Sequence, residues 1–355
     1  MPQPVTQSEA LSLTRHTNTQ TFRKELIQAV SKYAQPSYRQ AFRQIANTLL
    51  PYLGLWTLLI LTVLYDFPYW LTLLLTVPAS GFLVRIFILF HDCCHGAFLP
   101  SRAANKVLGY MLGIMAFTPF EEWRRTHIIH HANSGNLDSR GVGDIWTMTV
   151  DEYLSASPGK RLAYRLFRNP LVLFSIVPLA LFLVIQRFPG RGAKKRERTS
   201  VIFTNLAIAA IIVSMGFSIG FQNYLLIQLP IILLASVVGM WLFYIQHQYA
   251  DAYWERRQDW DLISSGLAGS SYYKLPNVLQ WLVGNIGLHH IHHIRANIPN
   301  YNLQRCQKEA PLLQIVKPLT LRKSLKSLWL NLWDEQKHKL VSFQAIRSLP
   351  RLRKL

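Results

Sequence analysis

The chain has 355 residues, half of them hydrophobic and 16% charged, with 38 Lys and Arg against 18 Asp and Glu for a formal net charge of +20. The apolar residues gather into long runs separated by basic stretches, which excludes a soluble domain and a disordered chain and reads as an integral membrane protein. The surplus cations lie in loops and tails beside the apolar runs, so they mark topology and contact with anionic headgroups, not nucleic acid.

The chain opens on a polar stretch, MPQPVTQSEALSLTRHTNTQ, and no apolar run begins before about Leu49. Nothing there resembles a cleavable signal peptide, and residues 1–48 are expected to form a cytosolic N-terminal segment. Transmembrane spans are expected at about 49–64, 69–90, 201–220 and 224–246. The second and fourth, about 22 residues each, reach ~33 Å and cover a ~30 Å hydrocarbon core. Val107 to Phe117 is too short to cross and predicts an interfacial helix.

A further apolar run, Pro170 to Gln186, is followed by RFPGRGAKKRER, with six Lys or Arg against one Glu. Were it to cross, it would strand the last histidines of the chain on the opposite side from the first. The positive-inside rule keeps the basic loop cytosolic, so the run is read as entering and leaving the same face, bent at Pro178. Arg85, near the end of the second span, is expected to snorkel to the interface. Trp56, Tyr69, Trp70, Trp241, Tyr244 and Trp254, near span ends, read as an interfacial aromatic belt. The tail from Pro311 contains WLNLWDEQKHKL, ends basic, and predicts an amphipathic interfacial helix.

Ten of the twelve histidines fall in four clusters at the ends of apolar segments: HDCCH (His91, His95), HIIHH (His127, His130, His131), the single His247, and HHIHH (His289, His290, His292, His293). At 3.6 residues per turn, the i, i+4 and i, i+3, i+4 spacings put the imidazoles of each cluster on one helix face. Nine positions fit that geometry: His91, His95, His127, His130, His131, His247, His289, His292 and His293. One first-row ion takes four to six ligands, so nine imply a dinuclear site. Imidazole alone does not name the metal, and zinc is the runner-up.

His290 is off the ligand face and reads as a packing or supporting group. Asp92, inside the first cluster, suits either a carboxylate that supports a ligand imidazole or a structural cap. Asp138, Asp144, Glu152, Asp251 and Glu255 lie near the clusters and are not ranked among themselves. Cys94 is read as a small packing residue, with Cys93 and Cys306 also reduced. His16 and His338 stand alone in polar stretches and read as solvated.

The clusters, in this order and with paired apolar spans between them, resemble the membrane fatty acid desaturase family of non-haem diiron enzymes. The resemblance covers most of residues 45–310, and segments such as EEWRRTHIIHHANSGNLD, FYIQHQYADAYW and GSSYYKLPNVLQWLVGNIGLHHIHHIRANIPNYNL are similar to its Δ12 (omega-6) lipid branch. It implies two iron ions on the nine histidines, O2 as co-substrate, and removal of two hydrogens from adjacent methylenes of an acyl chain. Electrons would come from a separate donor of ferredoxin or cytochrome b5 type, because no flavin, dinucleotide or cytochrome b5 motif is found. The family's acyl-CoA branch has an Asn four residues before its single His, where this chain has Phe243; Asn285, four before His289, is a candidate to serve through a water.

The expected fold is all-α: four transmembrane helices, two re-entrant or interfacial helices, and a cytosolic histidine-rich diiron cap. Residues 49–310 form the desaturase domain and 311–355 a basic cytosolic tail. The protein is expected in a bacterial inner membrane, with both termini and the active site cytosolic. Two other readings stand beside this one: a diiron hydroxylase or ketolase acting on a lipid or carotenoid, and a histidine-rich membrane metal transporter or sensor. The second is disfavoured because transport ligands belong near the midplane, and these lie at span ends.

Overall fold

A computed structural model describes residues 19–346; His16 and the end of the basic tail lie outside that range. In chain order the helices are α1 (Thr19–Ser31), α2 (Tyr38–Leu64), α3 (Tyr69–Cys94), α4 (Arg102–Met115), α5 (Phe120–Asn133), α6 (Val150–Ser155), α7 (Pro158–Phe167), α8 (Val177–Leu183), α9 (Lys195–Ile219), α10 (Phe221–His247), α11 (Leu262–Gly269), α12 (Asn277–Leu282), α13 (His289–Ile294), α14 (Asn300–Glu309) and α15 (Leu321–Ser324). Four of them, α2, α3, α9 and α10, are long and apolar enough to cross a membrane. All four exceed the apolar runs that predict them, because α3 carries its ladder out through His91 to Cys94, α10 runs out to His247, and α2 and α9 start in polar sequence.

The helices pack through buried Leu59, Ala79, Ile86, Leu89, Ile227, Ile231 and Ile245. Large apolar side chains such as Leu50, Leu74 and Phe217 remain exposed on their outer faces, as lipid contact requires. A second core joins Leu26 and Val30 of α1 to Leu267, Ile291 and Leu303 of α11, α13 and α14. This cap covers the ends of α3 and α10.

The fold is helical with small β pairings that periodicity does not reveal. β1 (Met148–Thr149) runs parallel to β4 (Leu332–Asp334), which is antiparallel to β5 (Lys339–Val341), and β2 (Tyr272–Lys274) runs parallel to β3 (Pro318–Thr320). WLNLWDEQKHKL is therefore the β4–β5 hairpin and not an amphipathic helix. Leu332 and Trp333 are buried between β1 and β5, where the strand pairing holds them.

The run 170–186 is a broken segment. α7 and the stretch Val172–Arg187 meet at 63°, with a π-turn at Val172–Ile176 before α8. The bend falls ahead of Pro170, not at Pro178. A proline disfavours helical geometry in the residue before it, whereas Pro178 lies in an unbroken helical stretch directly after the π-turn, whose wider hydrogen-bond spacing accommodates its missing N–H. Buried Arg168 fixes the bend by donating to the Leu330 carbonyl at 2.6 Å and the Gln248 side chain at 3.2 Å.

Arg85 does not snorkel. It is 1% exposed, donates from Nε to Thr48 Oγ1 at 2.9 Å, and lies 4.0 Å from the Trp281 ring centroid. The neighbouring helices supply acceptors and a π-face, so the cation is held inside the protein. The aromatic belt also needs revision: Tyr69 and Trp70 are exposed, but Tyr244 and Trp254 are buried, and Tyr244 donates to the Ser327 carbonyl.

Candidate metal centre

The nine predicted histidines converge as two groups. His91, His95, His127, His131 and His292 form one, and His130, His247, His289 and His293 the other; within each group the candidate ligand atoms lie within 4.8 Å of one another. α3 and the turn after it supply the first pair, α5 contributes to both groups, α10 delivers His247 from its last residue, and α13 contributes to both. The i, i+4 pair His127 and His131 faces one group while His130 faces the other, so α5 and α13 are the walls the two sites share.

The donor geometry fits metal ions. Contacts between Nε2 atoms are 3.1 Å for His127 and His131, 2.9 Å for His131 and His292, 3.1 Å for His130 and His247, 3.1 Å for His247 and His289, and 3.0 Å for His289 and His293. Two imidazole nitrogens at right angles on an ion ~2.1 Å away would be ~3.0 Å apart.

Tautomers strengthen the point. His130 Nδ1 is 2.8 Å from Asp144 Oδ1 and His247 Nδ1 is 3.0 Å from the Gly269 carbonyl, which places both protons on Nδ1. Their Nε2 atoms, 3.1 Å apart, then face each other with lone pairs, an arrangement that a shared cation relieves. His91 Nε2 and His95 Nε2 are buried with no hydrogen-bond partner, which suits atoms that ligate a metal. Burial, followed by neighbouring imidazoles, holds His127, His131, His292 and His293 well below the ordinary imidazole range, so they stay neutral and able to ligate.

Two carboxylates stand behind the groups. Asp92 Oδ1 meets His91 Nδ1 at 3.2 Å, while its Oδ2 accepts from the backbone and side chain of Asn300 at 2.7 and 2.9 Å, so it both supports a candidate ligand and pins the start of α14. Asp144 supports His130. The loop that carries it passes close to α5 because Gly143 adopts φ +73, where an added Cβ would lie 3.0 Å from His130 Cβ. Sequence distance did not rank Asp144 above its neighbours: Asp138 pairs with Arg256 at 2.7 Å and Glu152 with Arg140.

His290 stands outside both groups, buried, with Nε2 2.9 Å from Gln307 Oε1, and burial pushes its pKa down to about 4. Cys94 is buried and joins neither group. Asn285 takes φ +60 at a turn and donates from Nδ2 to the Asn300 carbonyl at 3.0 Å. His338 is exposed yet lies 3.4 Å from Glu255 Oε1.

Below the histidines opens a slot of about 520 Å³, lined by His91, His127, His289 and Asp144 at one end. It follows α3 through Ile88 and Phe87 to Leu83, and α10 through Phe243 and Gly239 to Ile232, with Phe182 of α8 closing a side. Ile232 precedes His247 by fifteen residues, which is ~22 Å along a helix. The lining is mostly apolar, with a few polar groups at its ends, as suits a long hydrocarbon ligand. Among the six belt candidates none lines this slot; its aromatic walls include Phe87, Trp123, Phe182 and Phe243, and Trp123 also stacks on the His127 ring at 4.2 Å.

Residues 67–315 match the model of the Fatty acid desaturase family. The chain belongs to the fatty acid desaturase family. A fatty acid desaturase of Bacillus subtilis (strain 168) is 46% identical over 327 residues, covering 92% of each chain. An sn-1 acyl-lipid omega-3 desaturase (ferredoxin) of Synechocystis is 26% identical over 62% of each chain, and an sn-1 oleoyl-lipid 12-desaturase of the same organism is 25% identical over 62% of this chain and 63% of the relative. The protein is accordingly an oxidoreductase of the desaturase family with membrane-spanning helices and histidine groups able to hold metal.

Proposed function

We propose that this desaturase is an O2-dependent acyl-lipid desaturase that introduces a cis double bond into a chain lying in the slot. The observation that carries the reading is the placement of two imidazole groups at the head of a ~520 Å³ apolar slot between spanning helices. The balanced reaction is –CH2–CH2– + O2 + 2 e⁻ + 2 H⁺ → –CH=CH– + 2 H2O. His91, His95, His127, His131 and His292 would hold one iron, and His130, His247, His289 and His293 the other. Bound there, the irons supply the O2-derived oxidant that no side-chain acid or base replaces.

The chain's own residues do the rest. Phe87, Phe182 and Phe243 hold a methylene segment below the metals and keep water from it, while Asp144 and Asp92 fix the rings of His130 and His91. The active site and both termini face the cytosol by the positive charge of the 187–198 loop. Electrons come from a separate one-electron carrier, a reading supported by the ferredoxin named for the Synechocystis omega-3 relative.

Position 12 (omega-6) is the regiochemistry that the segments between the histidine clusters favour. The test is fatty-acid profiling by gas chromatography with mass spectrometry, after expression of the chain and of His131→Ala in a host lacking polyunsaturated lipids. A new double bond in C18:1 lipid, absent in the variant, supports the reading and its location fixes the position. A retained hydroxyl oxygen would instead indicate a hydroxylase.

A further inference from the structure

The five-histidine group also approaches the protein surface on a side away from the slot. His95 and His131 are partly exposed, yet neither lines the slot, whereas all four residues of the other group are buried. α5 lies between that side and the slot. Its Trp123, Thr126 and His127 line the slot, while Arg124, Ile128 and Ala132, spaced i, i+4, i+8, are exposed or partly exposed on another face. Ile128 is 48% exposed between the ligand candidates His127 and His131, and Arg124, one turn earlier, donates from Nε to the Cys94 carbonyl next to His95.

A cluster of cations gathers toward the start of the same helix. Buried Glu121 holds three of them: Arg196 at 2.6 Å, Arg124 at 3.6 Å and Lys106 at 3.9 Å, with side chains 54, 38 and 55% exposed. One shielded carboxylate against three presented cations leaves the patch strongly positive.

We propose that this face of α5 is the docking surface for a small acidic one-electron carrier protein, which would deliver its electron past His95 and His131 to an iron held by the five-histidine group. The inference rests on the proposed O2-dependent reaction and adds where its two electrons enter. An exposed apolar residue beside a cationic cluster matches a carrier that buries its redox group in an apolar patch flanked by carboxylates, and such charge steers the encounter. The carrier is oxidised by one electron at each of two visits. Substrate and donor then approach opposite sides of one helix, so electron delivery does not require the slot to empty.

The test uses iron-loaded protein in nanodiscs, reduced plant-type ferredoxin as the probe, and the variants Ile128→Glu, Lys106→Glu and Arg196→Glu. Ferredoxin binding is read by interferometry at two salt concentrations, and double-bond formation is read with ferredoxin and, separately, with dithionite. Each variant is expected to weaken ferredoxin binding roughly tenfold, added salt to weaken the wild type in the same way, and dithionite-driven product to stay at the wild-type level. Equal ferredoxin binding by wild type and variants would overturn the proposal. So would activity that follows anionic lipid content and not ferredoxin concentration, which would make the face a headgroup contact. Binding is measured without turnover, so a wild type that binds ferredoxin in this way but forms no double bond supports the docking surface and contradicts the reaction instead.

Discussion

His130 and His290 have the same side chain and similar burial, and their partners separate them. His130 donates its Nδ1 proton to Asp144 and turns Nε2 toward His247, whereas His290 turns Nε2 to Gln307, away from both groups. Loss of the carboxylate behind a ligand imidazole typically costs 10–100-fold in metal affinity. Asp144→Asn is therefore expected to bring the iron content of the purified protein from two per chain toward one, as read by plasma emission spectrometry. His290→Ala should keep both irons and lower stability by about 1–3 kcal/mol, because it leaves the Gln307 acceptor unpaired; an iron loss in that variant would make His290 a ligand.

The same burial sets the acid limit. Imidazoles of His127, His131, His292 and His293 are held below their unfolded value of about 6.5, so below that pH the unfolded chain binds protons that the folded chain refuses. Stability should be flat above about pH 7 and fall as pH drops through 6.5, in metal-free protein as well, with thermal unfolding across a pH series as the check. Helical spacing made the convergence of the nine histidines readable from sequence. Of the carboxylate partners, Asp92 was legible beside its histidine, whereas Asp144 was not, because it reaches His130 through a loop whose path depends on the backbone of Gly143.

At the scale of elements, the apolar periods located the four long helices but not their ends, since α3 and α10 continue through polar histidine sequence once the cap packs around them. The β4–β5 hairpin was misread because a short segment with Leu and Trp interspersed among charges satisfies a helical face as well as a strand, and only its pairing with β1 decides. The slot follows from helix packing and had no signature in the sequence. A position that can fill it by substitution is Gly239, which lines it and has no heavy atom within 4 Å of an added Cβ. Gly239→Phe fits the helix but projects into the slot; it should abolish desaturation of C16 and C18 chains while both irons and the thermal midpoint remain near wild type. Full activity on C18 lipid in that variant would place the acyl chain elsewhere.

For the whole molecule, four long apolar helices and a cap built from α1, α11, α13 and α14 bring together histidines separated by up to 202 positions in the chain, from His91 to His293. That convergence is the central claim, and it divides the ligands five to four. Mössbauer spectroscopy of protein enriched with iron-57, combined with iron quantitation, tests it most directly. Two irons per chain giving two quadrupole doublets of equal area are the expected result, with His247→Ala removing one of the doublets and leaving the other. One iron per chain, or a site that fills with zinc in the presence of excess iron, would contradict it.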